Sequence, residues 1–311
     1  MSFSLNETLA EIGYTGPVNY NPADDEAAIS IYGYTPSNVL AIVALVTFGI
    51  TFLINLTWLV KYRTTRTFYG LFLFGSACEM VGYGCRLRSH SNPFIVMFFV
   101  IAYFFIIVSP VFYQAGLYLA FAQSLRRLNP HDSKALLRFE PRILIWVMIV
   151  ADVVTTIIQV VGAALIGVAE SARFDNRSTS LTSAQANDIL LAGLSIQTFT
   201  FLAFITILVL CIVRSSRTSS TTAHLPKLFS LLLLFSALLL LLRTTFRLAE
   251  TAEGVFGPAA SNETLFGTLE FMPVILAVSL WAIMPLEKTL PHPRTLDGRE
   301  AYSEKVPSNS V

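Results

Sequence analysis

KLFSLLLLFSALLLLLRTTFRLAE, running from Lys227 to Glu250, decides the fold. As far as Leu242 it is leucine and phenylalanine on every side, with Ser230 and Ser236 as the polar exceptions, so a helix built from it has no face suited to water. All-round apolarity of this kind belongs to a bilayer span, which takes ~20 apolar residues at ~1.5 Å of rise each. The stretch then ends on Arg243, Arg247 and Glu250, spaced i, i+4 and i+7, which sets a charged stripe along one flank of a leucine helix.

Six more apolar runs flank it, so that seven spans are expected at about 37–60, 68–88, 94–122, 142–168, 189–213, 228–249 and 265–285. The second is the weakest, because Glu79, Arg86 and several glycines interrupt it. Across all 311 residues 54% are apolar and 13% charged, with a mean hydropathy of +0.63, which leaves too little polar surface for a soluble globule. The fold class is therefore all-α: a polytopic membrane protein, a seven-transmembrane-helix bundle with the bilayer as its solvent. Residues 1–36 form an acidic tail, 37–285 the membrane domain, and 286–311 a polar tail rich in Pro and Ser that reads as disordered. The first residues lack a basic start and an apolar core, so no cleavable signal peptide is expected.

Orientation follows from the basic residues of the short loops. Fifteen Lys and Arg fall on the side of Lys61, Arg126, Arg214 and Lys288, against four on the other, at Arg86, Arg88, Arg173 and Arg177. The N-terminus is accordingly expected outside and the C-terminus in the cytosol. Glycosylation sequons at Asn6, Asn176 and Asn262 all lie on the expected outer side, while a fourth match at Asn55 lies inside the first span, where it should be silent. Cys78, Cys85 and Cys211 sit in apolar runs, which argues against a disulfide framework.

An ionisable side chain within a span costs ~2.5–3.5 kcal/mol on insertion scales, so each one marks a candidate site. Glu79 and Arg86 share a face of the second run, Asp152 and Gln159 a face of the fourth, and Glu270 lies in the seventh with Glu263 just before it. Together with Arg243, Arg247 and Glu250 these charges nearly balance, and they are expected to line a polar cavity opening outward. Gln114, Gln197, Tyr83 and Tyr118 are candidates for the same lining. Structural ion pairs and hydrogen bonds tying the helices together are the alternative. Pro110 and Pro273 are expected to kink their helices, and Gly75, Gly82 and Gly84 to allow close helix approach.

Catalytic constellations are largely missing. His90, His131, His224 and His292 are all in loops or tails, so no metal site or other cofactor is expected, and there is no phosphate-binding loop, nucleophile elbow or dinucleotide fingerprint. A formal net charge of +1 gives no pull toward nucleic acid, and nothing in the sequence assigns an oligomeric state.

Several of these residues also stand in a recognisable order. E79-M-V-G-Y-G-C-R86 resembles the E-x-x-G-Y-x-x-R signature of the fungal RTA-like family of seven-transmembrane proteins, often labelled lipid-translocating exporters. Asp152 through Gln159 to Gly162 is similar to its D-x6-Q-x2-G element, G193-L-S-I-Q197 to its G-L-x-x-Q, and R243-T-T-F-R247-L-A-E250 to its R-x-x-[FY]-R-x-x-E, followed by Glu263, Glu270, Pro273 and Pro285. The seventh run departs from the pattern: Gly267 stands for a tyrosine, Glu270 for an aspartate, and Met284-Pro285 for His-Pro. The resemblance implies a fungal protein of the plasma membrane or an internal membrane that moves, or confers resistance to, amphipathic molecules such as sphingoid bases, sterol-like toxins or porphyrins. Glu79, Arg86, Asp152, Gln159, Gln197, Arg243, Arg247, Glu250, Glu263 and Glu270 would line the substrate path. The competing readings are a receptor-like sensor, which shares the topology, and an intramembrane enzyme using buried carboxylates.

Overall fold

A computed structural model describes residues 14, 16–23, 26–30, 32–128, 141–174, 182–217, 225–254, 257, 260 and 262–291. Among them seven long helices run in order: α1 (Asn38–Lys61), α2 (Arg66–Ser91), α3 (Val96–Arg127), α4 (Pro141–Phe174), α5 (Ser183–Arg217), α6 (Lys227–Ala252) and α7 (Glu263–Ile283). Several overrun the apolar stretches that seed them, because a helix continues through the interface once its backbone bonds are propagating. Ser37 caps α1 by accepting a hydrogen bond from the Val39 N–H at 3.2 Å, and Asn262 caps α7 by accepting from the Thr264 and Leu265 N–H groups.

Six of the seven are long and apolar enough to cross a membrane; α2 has the length, at 26 residues, but not the apolarity. Burial accounts for this. Glu79 and Arg86 face protein, at 2% and 3% exposure, so the polarity of α2 is hidden inside the bundle. Successive helices pack side by side, α7 closes back on α1, and α3 also touches α6 across the middle. Lipid-type side chains turn outward, with Phe199 72% and Trp146 68% exposed, while Phe68, Tyr113, Phe204 and Trp281 fill the interior. This is the surface of a multi-pass membrane protein, apolar where a soluble protein is polar.

Glycines set the closest approaches. A Cβ on Gly82 would stand 2.7 Å from Ile106 and one on Gly162 would stand 2.7 Å from the Leu190 backbone nitrogen, so neither position has room for one. Gly84, expected to do the same, faces open space. Pro110 is absorbed within α3, whereas Pro273 follows a π-helical segment, Phe266–Phe271, in which the widened turn accommodates the missing N–H.

Both ends differ from the expectation of featureless tails. At the C-terminal end Leu286–Thr289 forms a short helix, α8; Leu286 is fully buried and donates its N–H to the Tyr69 hydroxyl at 2.8 Å, and Glu287 pairs with Arg127 at 2.8 Å. The disordered tail expected from 286 therefore begins after this anchor at the earliest, and its remainder lies outside the described residues. At the N-terminal end, residues 16–23, 26–30 and 32–37 form a strap across the bundle. Two isolated antiparallel bridges hold it, Val18 to Ile29 within the strap and Glu26 to Ile95 at the start of α3.

Candidate functional site

Arg243 and Arg247 stand one turn apart on α6 and both reach Glu270, which the π-helical turn of α7 presents to them. Arg243 donates from Nε at 2.9 Å and from Nη2 at 2.6 Å to one Glu270 oxygen, and its Nη2 also bonds the Ile106 carbonyl of α3 at 3.0 Å. Arg247 Nε lies 2.9 Å from the other Glu270 oxygen, and its Nη1 donates to Glu250 at 2.9 Å. One carboxylate is thus held between two guanidiniums, with Glu250 completing the charge balance. Low dielectric strengthens each attraction, and the desolvation cost makes complete pairing obligatory.

Arg86 on α2 is satisfied differently. It bonds the Tyr34 hydroxyl of the strap and lies 3.5 Å from Glu263, with the Phe266 ring 4.1 Å and the Tyr32 ring 5.1 Å from its guanidinium carbon. Its Nε has no hydrogen-bond partner among the described residues. Glu79, a little under two turns below it, accepts a hydrogen bond from Ser109 of α3. Phe266 also borders Arg247, at 5.6 Å, so this ring separates the two arginine environments.

Asp152, Gln159 and Gln197 do not join this cluster. Asp152 accepts from the Tyr118 hydroxyl at 2.8 Å, and no ion pair links it to the arginines among the described residues. Gln159 donates to Gln197 at 2.6 Å and Gln197 to Gln114 at 3.2 Å, making an amide ladder across α4, α5 and α3. The single set of residues expected around one cavity is therefore two networks that share α3. Nor do they line an opening: Glu79, Arg86, Asp152, Arg243, Arg247 and Glu270 are each at most 3% exposed, closed on protein partners. A groove of 480 Å³ lies instead on the lipid-type surface of α4 and α5, walled by apolar side chains such as Trp146, Val150, Ile158 and Ile196. Charges drawn out of water collapse onto each other when partners are within reach, and counting residues along single helices does not reveal those partners.

Sequence reasoning passed over Tyr32, Tyr34 and Ser109, which complete the Arg86 and Glu79 environments. The two tyrosines lie ahead of the first apolar run, in a segment whose acidity drew the attention, although a Y-x-Y pair so close to a span was a usable signal. It also dismissed Asn55, which is fully buried with both amide atoms unpartnered among the described residues. Outside the spans, the side-chain amide of Asn92 chiefly, with the Ala23 N–H and Asn19, holds the Glu26 carboxyl below its usual range. Asn6 and Asn176 lie outside the described residues, and Asn262 is exposed at its helix cap. No group of three or more metal-ligating side chains occurs among the described residues.

An all-helical, multi-pass membrane protein with a buried arginine–carboxylate core is the class that fold and site define. The chain belongs to the RTA1-like family: the family model described as RTA1 like protein matches residues 72–292, from α2 to just beyond α8. It is 25% identical over 280 residues to Protein RTA1 of Saccharomyces cerevisiae, covering 81% of this chain and 84% of that one. It is 24% identical to Protoporphyrin uptake protein 1 of the same species, over 72% of this chain and 71% of the relative, and 28% identical to the Sphingoid long-chain base transporter RSB1, over 57% and 43%. No solved structure matches the chain.

Proposed function

We propose that the protein transports amphipathic lipids or lipid-like molecules, sphingoid bases, sterol-like compounds or porphyrins among them, and that efflux of such compounds confers resistance on the cell. All seven helices span in this reading, α2 included, with the strap outside, the C-terminal end in the cytosol, and Asn6, Asn176 and Asn262 available for glycosylation. The preponderance of basic residues on one side, fifteen against four, supports that orientation. Relatives named for porphyrin uptake and sphingoid-base transport support the substrate class, and none of the three names is that of an enzyme.

One observation carries the reading: Glu250, Arg247, Glu270 and Arg243 form a continuous chain of ion pairs inside the helix bundle. As glue this is poor value, because well-packed apolar side chains hold helices as firmly or more so. A chain of exchangeable pairs gains its purpose when a charged or zwitterionic head group must cross, since each pair can open toward the ligand while its tail stays in lipid. Glu79, Arg86 and Glu263 extend this path toward the strap, and Asp152, Gln159 and Gln197 offer neutral hydrogen bonds beside it.

The test is uptake and efflux of labelled long-chain base and protoporphyrin in cells with and without the protein, repeated with Glu79→Gln and Arg247→Ala. Flux of at least one compound should depend on the protein and fall on the order of tenfold or more in Arg247→Ala, the change that loss of about 1.4 kcal/mol of stabilisation produces. Fluxes unchanged for every compound, with the protein present at the membrane, overturn the reading.

A further inference from the structure

Three arginines are buried in the core, and two are saturated: Arg243 and Arg247 each close on carboxylate oxygens at 2.9 Å or less. Arg86 is not. Its ion pair with Glu263 is long, at 3.5 Å, and Glu263 is itself engaged by the Ser37 N–H at 2.7 Å. Its Nε is unpartnered, and a neutral phenol, Tyr34, takes the place where an anion would make a stronger, charge-assisted bond. Buried guanidiniums left in this condition are costly unless something else completes them.

What covers Arg86 is also the least securely built part of the molecule. The strap crosses it with Tyr32 and Tyr34, with neither helix nor ladder of its own among the described residues. A handful of local bonds fasten it: the Ala27 N–H to the Phe94 carbonyl at 2.8 Å, the Asn92 amide to Glu26 at 2.5 Å, and His90 Nδ1 to the Pro36 carbonyl at 2.7 Å. Opening it breaks these bonds and leaves every helix–helix contact intact, which places it at the low end of local stability.

We propose that Arg86 is the seat for the anionic head group, carboxylate or phosphate, of an amphipathic ligand, and that the strap is its lid, with the Tyr34 hydroxyl holding the seat until the ligand displaces it. The aromatic rings of Tyr32, Tyr34 and Phe266 exclude water from the bond, and the ligand's tail reaches the bilayer beside α2. This deepens the transport reading and rests on it for the ligand's passage onward.

A lock tests the lid. Bridge partners Glu26 and Ile95 lie at a spacing that accommodates a disulfide, so Glu26→Cys with Ile95→Cys pins the strap shut under oxidation and frees it under reductant. Purified protein in nanodiscs is titrated with a fluorescent long-chain carboxylate, the matching phosphate monoester and the matching uncharged alcohol. We expect at least one of the two anions to bind on the order of tenfold more tightly than the alcohol, the lock to abolish that binding, and reductant to restore it. Which anion is preferred tells a carboxylate ligand from a phosphate one. Tyr34→Phe should tighten anion binding several-fold by removing the competing hydroxyl, and Arg86→Gln should abolish the preference over alcohol. Equal binding of anions and alcohol, an oxidised lock that binds normally, or Tyr34→Phe without tightening each overturns the proposal, and the last two hold even if Arg86→Gln fails to fold. Flux on the same variants separates the readings: normal flux through the locked protein removes the lid and leaves transport, whereas anion binding without flux in any sample removes transport and leaves the seat.

Discussion

The core of α6 and α7 and the core of α3, α4 and α5 handle the same problem, polar groups kept from water, in opposite ways. In the first, two arginines grip one carboxylate and Glu250 balances the charge, so each partner is indispensable to the others. In the second, Asp152 rests on one tyrosine hydroxyl and three glutamines hand neutral bonds across the helices, so each link stands nearly alone. Buried charge creates mutual dependence, and buried amide does not, because the penalty for an orphaned ion far exceeds that for an orphaned dipole.

Breaking the first network should therefore have the largest effect. Glu270→Ala leaves Arg243 and Arg247 facing each other without a counter-ion, and thermal unfolding in detergent should report a loss of about 3–5 kcal/mol. A loss no greater than that of an isolated hydrogen bond would erase the distinction between the two cores. An intermediate effect is expected at Gly193, where an added Cβ meets Gln159 Cγ at 2.9 Å and the Thr155 carbonyl at 3.1 Å. Gly193→Ala should push the amide ladder apart at a cost of about 1–3 kcal/mol, while the arginine core keeps its pairs. Urea or thermal denaturation of the variant, alone and combined with Glu270→Ala, checks this: the two costs should add to within about 0.5 kcal/mol if the networks are independent. Tyr118→Phe should have the smallest effect. It removes only the hydroxyl bonded to Asp152, and by the usual worth of interhelical hydrogen bonds in membranes the loss is about 0.6 kcal/mol. A loss of several kcal/mol there would mean that Asp152 is as dependent on its partner as Glu270 is.

The difference between the two cores was only partly legible beforehand. Arg243, Arg247 and Glu250 could be placed on one flank of α6 by spacing alone, and that flank does carry the ion pairs. Asp152 and Gln159 share a face of α4 by the same rule, yet the rule is silent on which neighbour that face meets, so they were assigned to the cavity of the arginines. Tyr32 and Tyr34 were missed because the strap has no periodicity: its position over Arg86 depends on a carbonyl of Phe94 and a carboxylate of Glu26, contacts made across more than sixty residues of chain.

By itself the amino-acid sequence determined that this chain lives in a bilayer, where its apolar runs lie, and which residues break the rule of apolarity within them. These are local properties, because the length of an apolar run and the cost of inserting a charge are settled within one helix. Pairing is a property of several helices at once. Only the tertiary structure decided that Glu270 sits between two arginines, that Asp152 stands apart from them, and that Arg86 waits under a tyrosine with a bond to spare.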